Sequence, residues 1–128
     1  MACLTVVSQA QGVDTRWRLR VVDLKHQVKV VATIRFAGEA AAQSCMGGKW
    51  NHIVVETRSK QDEAFFHLDE PLAYELERGA LTLGRTTICD GYALLSGKSD
   101  ASNIHGTYNA VSMGGSHKLG YFSLKKVQ

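Results

Sequence analysis

Apolar and polar positions alternate with a period of two along most of the chain, the signature of strands with one buried side. In 16-RWRLRVVDL-24, Trp17, Leu19 and Val21 share one side while Arg16, Arg18 and Arg20 share the other. After the polar 25-KHQ-27 the alternation resumes in 28-VKVVATIRF-36, with Val28, Val30, Ala32, Ile34 and Phe36 on a common side. So short a connection predicts an antiparallel hairpin. In 49-KWNHIVVETRS-59 both sides are partly apolar: Trp50, His52, Val54 and Glu56 against Asn51, Ile53, Val55 and Thr57. Further strand-like runs follow at 64–69, 72–76, 80–85, 87–97, 105–113 and 118–127. Pro71, Arg78-Gly79, the polar 98-KSDASN-103 and Gly114-Gly115 punctuate them, the last pair supplying positive φ for a closing hairpin.

The alanine-rich 38-GEAAAQSCMGG-48 predicts at most one short helix, near 39–46. The fold class is therefore all-β, an antiparallel meander of eight or nine short strands. Such a meander closes into a barrel or, as the alternative, folds into a β-sandwich. Parallel α/β folds are excluded because the sequence has no crossover helices.

Composition narrows the picture modestly. A chain of 128 residues, 45% hydrophobic and 21% charged, has the size and balance of one domain spanning 1–128. A net charge of +3 is too mild to point to nucleic acid, and no apolar run reaches the roughly 20 residues of a membrane helix. Residues 1–10 read either as the remnant of an export signal, with Ser8 and Ala10 at a small-x-small spacing, or as a first strand. The export reading places the protein in the periplasm or outside the cell, with the cytoplasm as the alternative. It also leaves Cys45 and Cys89 as an even pair once Cys3 is removed, which suits one disulfide.

Candidate chemistry is sparse. Gly114-Gly115 precedes a strand pattern instead of a helix, so it lacks the helix N-terminus that cradles phosphate. There is no Cys-x-x-Cys, and no two of the five His fall at ligand spacing, so no metal or cofactor is expected. Asp69 and Glu70 are adjacent, which on a strand sends them to opposite faces. His52 stands mid-strand between Trp50 and Glu56, a place where a polar group orients a ligand if that side faces inward. Arg16, Arg18 and Arg20 form a ladder suited to an acidic partner, and His117 lies at the edge of the last turn.

The meander, Trp17 near the start of the first long strand, and the closing Gly106-x-Tyr108 … Gly120-x-Phe122-x-Leu124 together resemble the calycin-like small barrels, the group that includes the lipocalins. The residue two before Trp17 is Thr15, where the lipocalin opening motif has Gly. The resemblance implies a non-enzymatic barrel that binds a small apolar or amphipathic ligand inside, with Trp50, His52, Tyr92 and Tyr108 as lining residues. A secreted interaction or inhibitor protein is the second reading, with Arg16, Arg18, Arg20 and His117 at its contact surface. A cofactor-free cyclase or isomerase, with His52 or Glu56 in a pocket, is the third.

The disulfide expectation has a direct check. Denatured, unreduced protein should show no reactive thiol if the chain has lost Cys3 and one if it retains it. Two or more reactive thiols per chain would overturn the Cys45–Cys89 pairing.

Overall fold

A computed structural model describes residues 15–40, 50–85, 92–100 and 102–127, with the side chains of 39, 40 and 92 left out. Eight strands run in sequence: β1 (Arg16–Asp23), β2 (Val28–Ala40), β3 (Asn51–Lys60), β4 (Leu72–Glu77), β5 (Ala80–Arg85), β6 (Tyr92–Asp100), β7 (Asn103–Ser112) and β8 (Gly115–Lys126). Each pairs antiparallel with the next, and β8 returns to pair with β1, so the sheet closes into a barrel. The barrel, not the sandwich, is the architecture adopted, and it is compatible with a lipocalin-like arrangement.

No helix occurs among the described residues. β2 carries on to Ala40, so the first two positions of the expected helix at 39–46 are strand, and the rest lie outside the described residues. Cys3, Cys45, Cys89 and the segment 1–10 lie outside them as well. The run 64–69 is a chain of turns and not a strand. Asp62 starts it, its carbonyl accepting the backbone N–H groups of Phe65 and Phe66.

The alternation of β1 is realised directly. Trp17, Leu19 and Val21 are buried and Arg16, Arg18 and Arg20 exposed. Leu19 links the closing seam, standing opposite Leu124 on β8 and Ala32 on β2. Val30, Ile34, Leu81, Leu83, Leu95, Ile104, Tyr108 and Phe122 extend the interior around the barrel. A membrane-spanning barrel has the reverse polarity, apolar outside and polar within.

Two hairpins show how the turns are made. Arg78 and Gly79 have φ of 54° and 82°, the pair of positive angles that a two-residue type I′ turn needs. At the last hairpin Gly115 alone has positive φ. Met113 and Gly114 form the two-residue turn itself, so the expected pair of positive angles reduces to one.

Inward-facing glycines make room where the sheet coils most tightly. Gly97 stands opposite Gly106, which in turn stands opposite Phe122. A Cβ on Gly97 would come within 2.9 Å of the Phe122 ring, and one on Gly106 would overlap the Ser96 carbonyl. The phenyl ring thus occupies space that a side chain at Gly97 would need, while Gly106 lies too close to the backbone of Ser96 and Gly97 to carry one. Gly106→Ala should destabilise the barrel by about 3 kcal/mol or prevent folding, as urea denaturation would show. Gly114→Ala, whose Cβ meets nothing nearer than Ser112 Oγ at 3.9 Å, should be close to neutral, and equal effects at the two sites would contradict this packing.

Candidate functional site

Two surfaces carry the charged side chains. The first is the outer face around the β1–β8 seam. Arg16 and Arg35 face each other across β1 and β2, a like-charge pair that would repel. A register shift between Thr33 and Ile34 passes over Glu56, whose carboxylate reaches between them. Its Oε1 accepts from Arg16 Nε at 2.6 Å and its Oε2 from Arg35 Nε at 3.2 Å. Lost hydration is the largest single influence on Glu56 and acts upward. The hydrogen bonds and charges of Arg16 and Arg35 together outweigh it and hold the carboxyl below its ordinary value.

Further round the barrel the compensation stops. Arg18 stands directly opposite Lys125, and Arg20 opposite Ser123, which itself faces His105 and, beyond it, Lys98. Arg18, Arg20, Lys98, His105 and Lys125 are all exposed. Arg18, Arg20, Lys98 and Lys125 make no ion pair among the described residues. Asp100 lies at the rim, on the same face as Lys98.

The second surface is the strap that links β3 to β4. Among the described residues β3 and β4 pair at only two positions, Asn51 with Tyr74 and His52 with Ala73. The strap, residues 61–71, covers the remaining part of β3 instead, with Arg58 Nη2 donating to Leu68 O at 3.3 Å. Phe66 and Leu68 are buried in the barrel end. Both Phe65 and Phe66 meet the Tyr108 ring edge-on, and the Tyr108 hydroxyl donates to Phe65 O at 2.5 Å. Burial pushes the Tyr108 phenol up to about 12, against the opposing pull of Arg85, so it remains a donor at every physiological pH.

On the outer side of the strap, Glu63, His67 and Glu70 converge, with one ligand atom from each within 4.8 Å of the others. Arg85 Nη1 donates to both oxygens of Glu70 at 3.0 Å. Glu63 accepts from the Asp69 N–H and from Gln61 Nε2. It also borders an open cleft of about 590 Å³, lined further by Gln27, Val28, Lys29, Lys60, Gln61 and Asp62.

Among the lining candidates, Tyr108 and His52 point to opposite sides of the sheet. Tyr108 is interior and almost wholly buried. Ile53 belongs to the interior cluster, so alternation puts its neighbour His52, half-buried, on the outer side, the side from which Glu56 meets its arginines. Trp50 is buried but outside that cluster, and the side chain of Tyr92 lies outside the described residues. His117 is exposed on the last hairpin, opposite Ala110. Asp69 and Glu70 do separate, Asp69 to Arg58 and Glu70 to Arg85. Sequence reading passed over Glu63, His67 and Glu70 because it took 64–69 for a strand, which would scatter them. Their i, i+4, i+7 spacing in a turn-rich segment was the available signal.

No family model matches this chain, nor does any curated protein or solved structure.

The Glu56 clamp carries a pH signature. A carboxyl whose folded pKa is depressed adds stability above its unfolded value, and that stability disappears as pH falls through the folded value. Glu56→Gln should therefore be less stable than the parent at neutral pH, with the difference vanishing below about pH 4. Denaturant melts of both proteins between pH 7 and pH 3 would check this. A difference that grows on acidification is the contrary result.

Proposed function

We propose that this barrel is a non-enzymatic binding protein that captures an acidic protein segment on its outer face around the β1–β8 seam. The observation that carries the reading is Arg18 directly opposite Lys125 with no carboxylate to separate them. Directly opposed like charges cost stability, and across the neighbouring β1–β2 ladder the chain relieves the same conflict between Arg16 and Arg35 with Glu56. An anionic partner would relieve it at the seam. Lys98 and Arg20 continue the positive row, with His105 and Ser123 between them, across four adjacent strands, a span of roughly 14 Å at the usual strand spacing. Serine and threonine side chains lie between them, at Ser96, Thr107, Ser123 and Thr33.

The chemistry of the face favours a carboxylate-rich peptide over single-stranded nucleic acid, which needs free aromatic surfaces for base stacking. Tyr121 is the aromatic residue here, and it is already stacked against His26 at 4.8 Å and approached by Lys118. The interior offers a ligand less room. Leu19, Ile34, Leu83, Leu95, Tyr108 and Leu124 are almost fully buried against one another, and a small barrel filled in this way holds side chains where a hollow one holds its ligand.

A second reading, a small interior ligand, has one observation in its favour. Trp17 Nε1 is buried and has no hydrogen-bond acceptor, in a stack that runs from Trp17 through Phe36 to Tyr74. An unsatisfied buried donor costs about 1–3 kcal/mol, which a ligand acceptor or a water would recover. Native mass spectrometry separates the two, because a co-purifying small molecule lost in Trp17→Phe supports the interior reading alone.

The outer-face reading makes an unusual coupled prediction. Lys125→Glu converts a repulsive cross-strand pair into an attractive one, so it should stabilise the fold by about 0.5 kcal/mol while weakening capture of a labelled oligoglutamate peptide. Arg18→Glu/Arg20→Glu should weaken that capture at least tenfold, and about 0.5 M salt should abolish it in the parent. Peptide affinity unchanged in both variants would remove the reading.

A further inference from the structure

We propose that Glu63, His67 and Glu70 form a binding site for one first-row divalent cation of the zinc class, clamping the β3–β4 strap over the barrel end. Nothing in the outer-face reading depends on this site, and the two stand or fall separately.

The case begins with spacing. His67 Nδ1 lies 3.6 Å from Glu63 Oε2 and 3.6 Å from Glu70 Oε2. Contacts of that length are too long for hydrogen bonds. The imidazole therefore lies within ion-pairing range of both carboxylates, should it be protonated, but hydrogen-bonds neither. Ligand bonds to zinc of about 2.0–2.2 Å set tetrahedral ligand atoms about 3.3–3.6 Å apart, the spacing His67 Nδ1 already keeps from each carboxylate, and the two carboxylates, whose ligand atoms lie within 4.8 Å of each other, would draw together by side-chain rotation. One imidazole nitrogen with two carboxylates is a donor set for zinc and its neighbours in the first transition row, whereas calcium and magnesium take oxygen ligands alone.

The backbone holds these donors from below. Phe66 and Leu68 are buried at 2% exposure and fix the inner side of the strap. The residues bearing the donors, half-buried, occupy its outer side. Tyr108 grips Phe65 O and Arg58 grips Leu68 O, so the turns on which the donors sit are tied to β7 and β3.

The carboxylates are themselves oriented, as metal-bound carboxylates usually are. The Asp69 N–H reaches Glu63 at 3.2 Å, and Gln61 reaches its Oε1 at 3.0 Å. Arg85 holds Glu70 from the β5 side. A carboxylate has lone pairs enough to face a guanidinium and a metal together, and Arg85 reduces the net charge of the donor set to one negative. The partial exposure of all three donor side chains, 28% for His67, 35% for Glu63 and 39% for Glu70, leaves the solvent-reachable position that a three-ligand site needs for water or an added ligand. A cation there would add a bridge between the two ends of the strap, at the place where β3 and β4 pair at two positions alone.

The test uses the full chain, stripped with chelator, titrated with Zn2+ against a chromophoric competitor and followed by thermal melting. One equivalent should bind with a dissociation constant in the micromolar range or tighter and raise the melting temperature. His67→Ala and Glu63→Gln should each weaken binding at least tenfold, while His117→Ala on the exposed hairpin should not. Melting of the metal-free variants establishes that they fold. Should His67→Ala fail to fold, Glu70→Gln read with Glu63→Gln serves the same purpose. Co2+ distinguishes the donors: an N/O site gives weak visible bands, and a strong near-ultraviolet thiolate band would assign the metal to cysteine and overturn the proposal. Retention of full affinity in the His67 and Glu63 variants would overturn it equally, as would no binding below millimolar Zn2+.

Discussion

Closing eight short strands into a ring encloses a volume that side chains must fill, and this requirement governs most of what the chain does elsewhere. The β1–β8 pairing imposes closure, with Leu19, Leu124 and Ala32 meeting at the seam. On one side of the ring Gly97 leaves its side-chain space to the Phe122 ring, and Gly106 lies too close to the Ser96 backbone to carry a side chain. On the other side the β3–β4 pairing gives out after two positions. Large residues drawn from a loop, Phe66 and Leu68, then complete the interior from the barrel end. The strap is thus part of the core and not an appendage, and its outer side is rigid because its inner side is packed.

Charge is distributed by the same geometry. With the interior apolar, every cation on β1 must point outward, and alternation brings like charges opposite one another on neighbouring strands. The chain meets this at Arg16 and Arg35 with a carboxylate from a third strand, made available by the irregular pairing at Glu56. At Arg18 and Lys125 it supplies none. Exposed ion pairs contribute little to stability, so neither arrangement says much about how firmly the barrel holds. Their difference is informative because local sequence does not require it. Arg16 and Arg18 occupy equivalent positions on one strand and have opposite electrostatic surroundings.

Much of the barrel was legible because period-two alternation is a local property. The sides of β1 and the β1–β2 hairpin follow from residues 16–36 alone. Interior position is not legible where alternation is ambiguous: 49–59 is apolar on both sides, and nothing local shows that Ile53 joins the interior cluster while His52 faces outward. The segment 64–69 misled for a related reason. Ala64, Phe65, Phe66 and Leu68 look like a buried strand in composition, yet Asp62 nucleates a turn and Pro71 ends the segment, so burial is achieved by plugging an end and not by pairing. Strand pairing itself is not written in any one segment, and the shortness of the β3–β4 ladder emerges only when all eight strands close together.

A complete ring of paired strands fixes its backbone donors and acceptors and leaves the outer side chains as the variable surface. An incomplete seam leaves backbone and side chains to be satisfied by whatever crosses it. Here the crossing segment satisfies them with Arg58, Tyr108 and Arg85, three groups from three different strands. Such convergence of long-range contacts on one short loop fixes its shape more tightly than a hairpin turn of equal length would be fixed. Tight placement of Glu63, His67 and Glu70 on its outer side is then a consequence of closure, since the packing that plugs the barrel also determines how far apart those three donors stand.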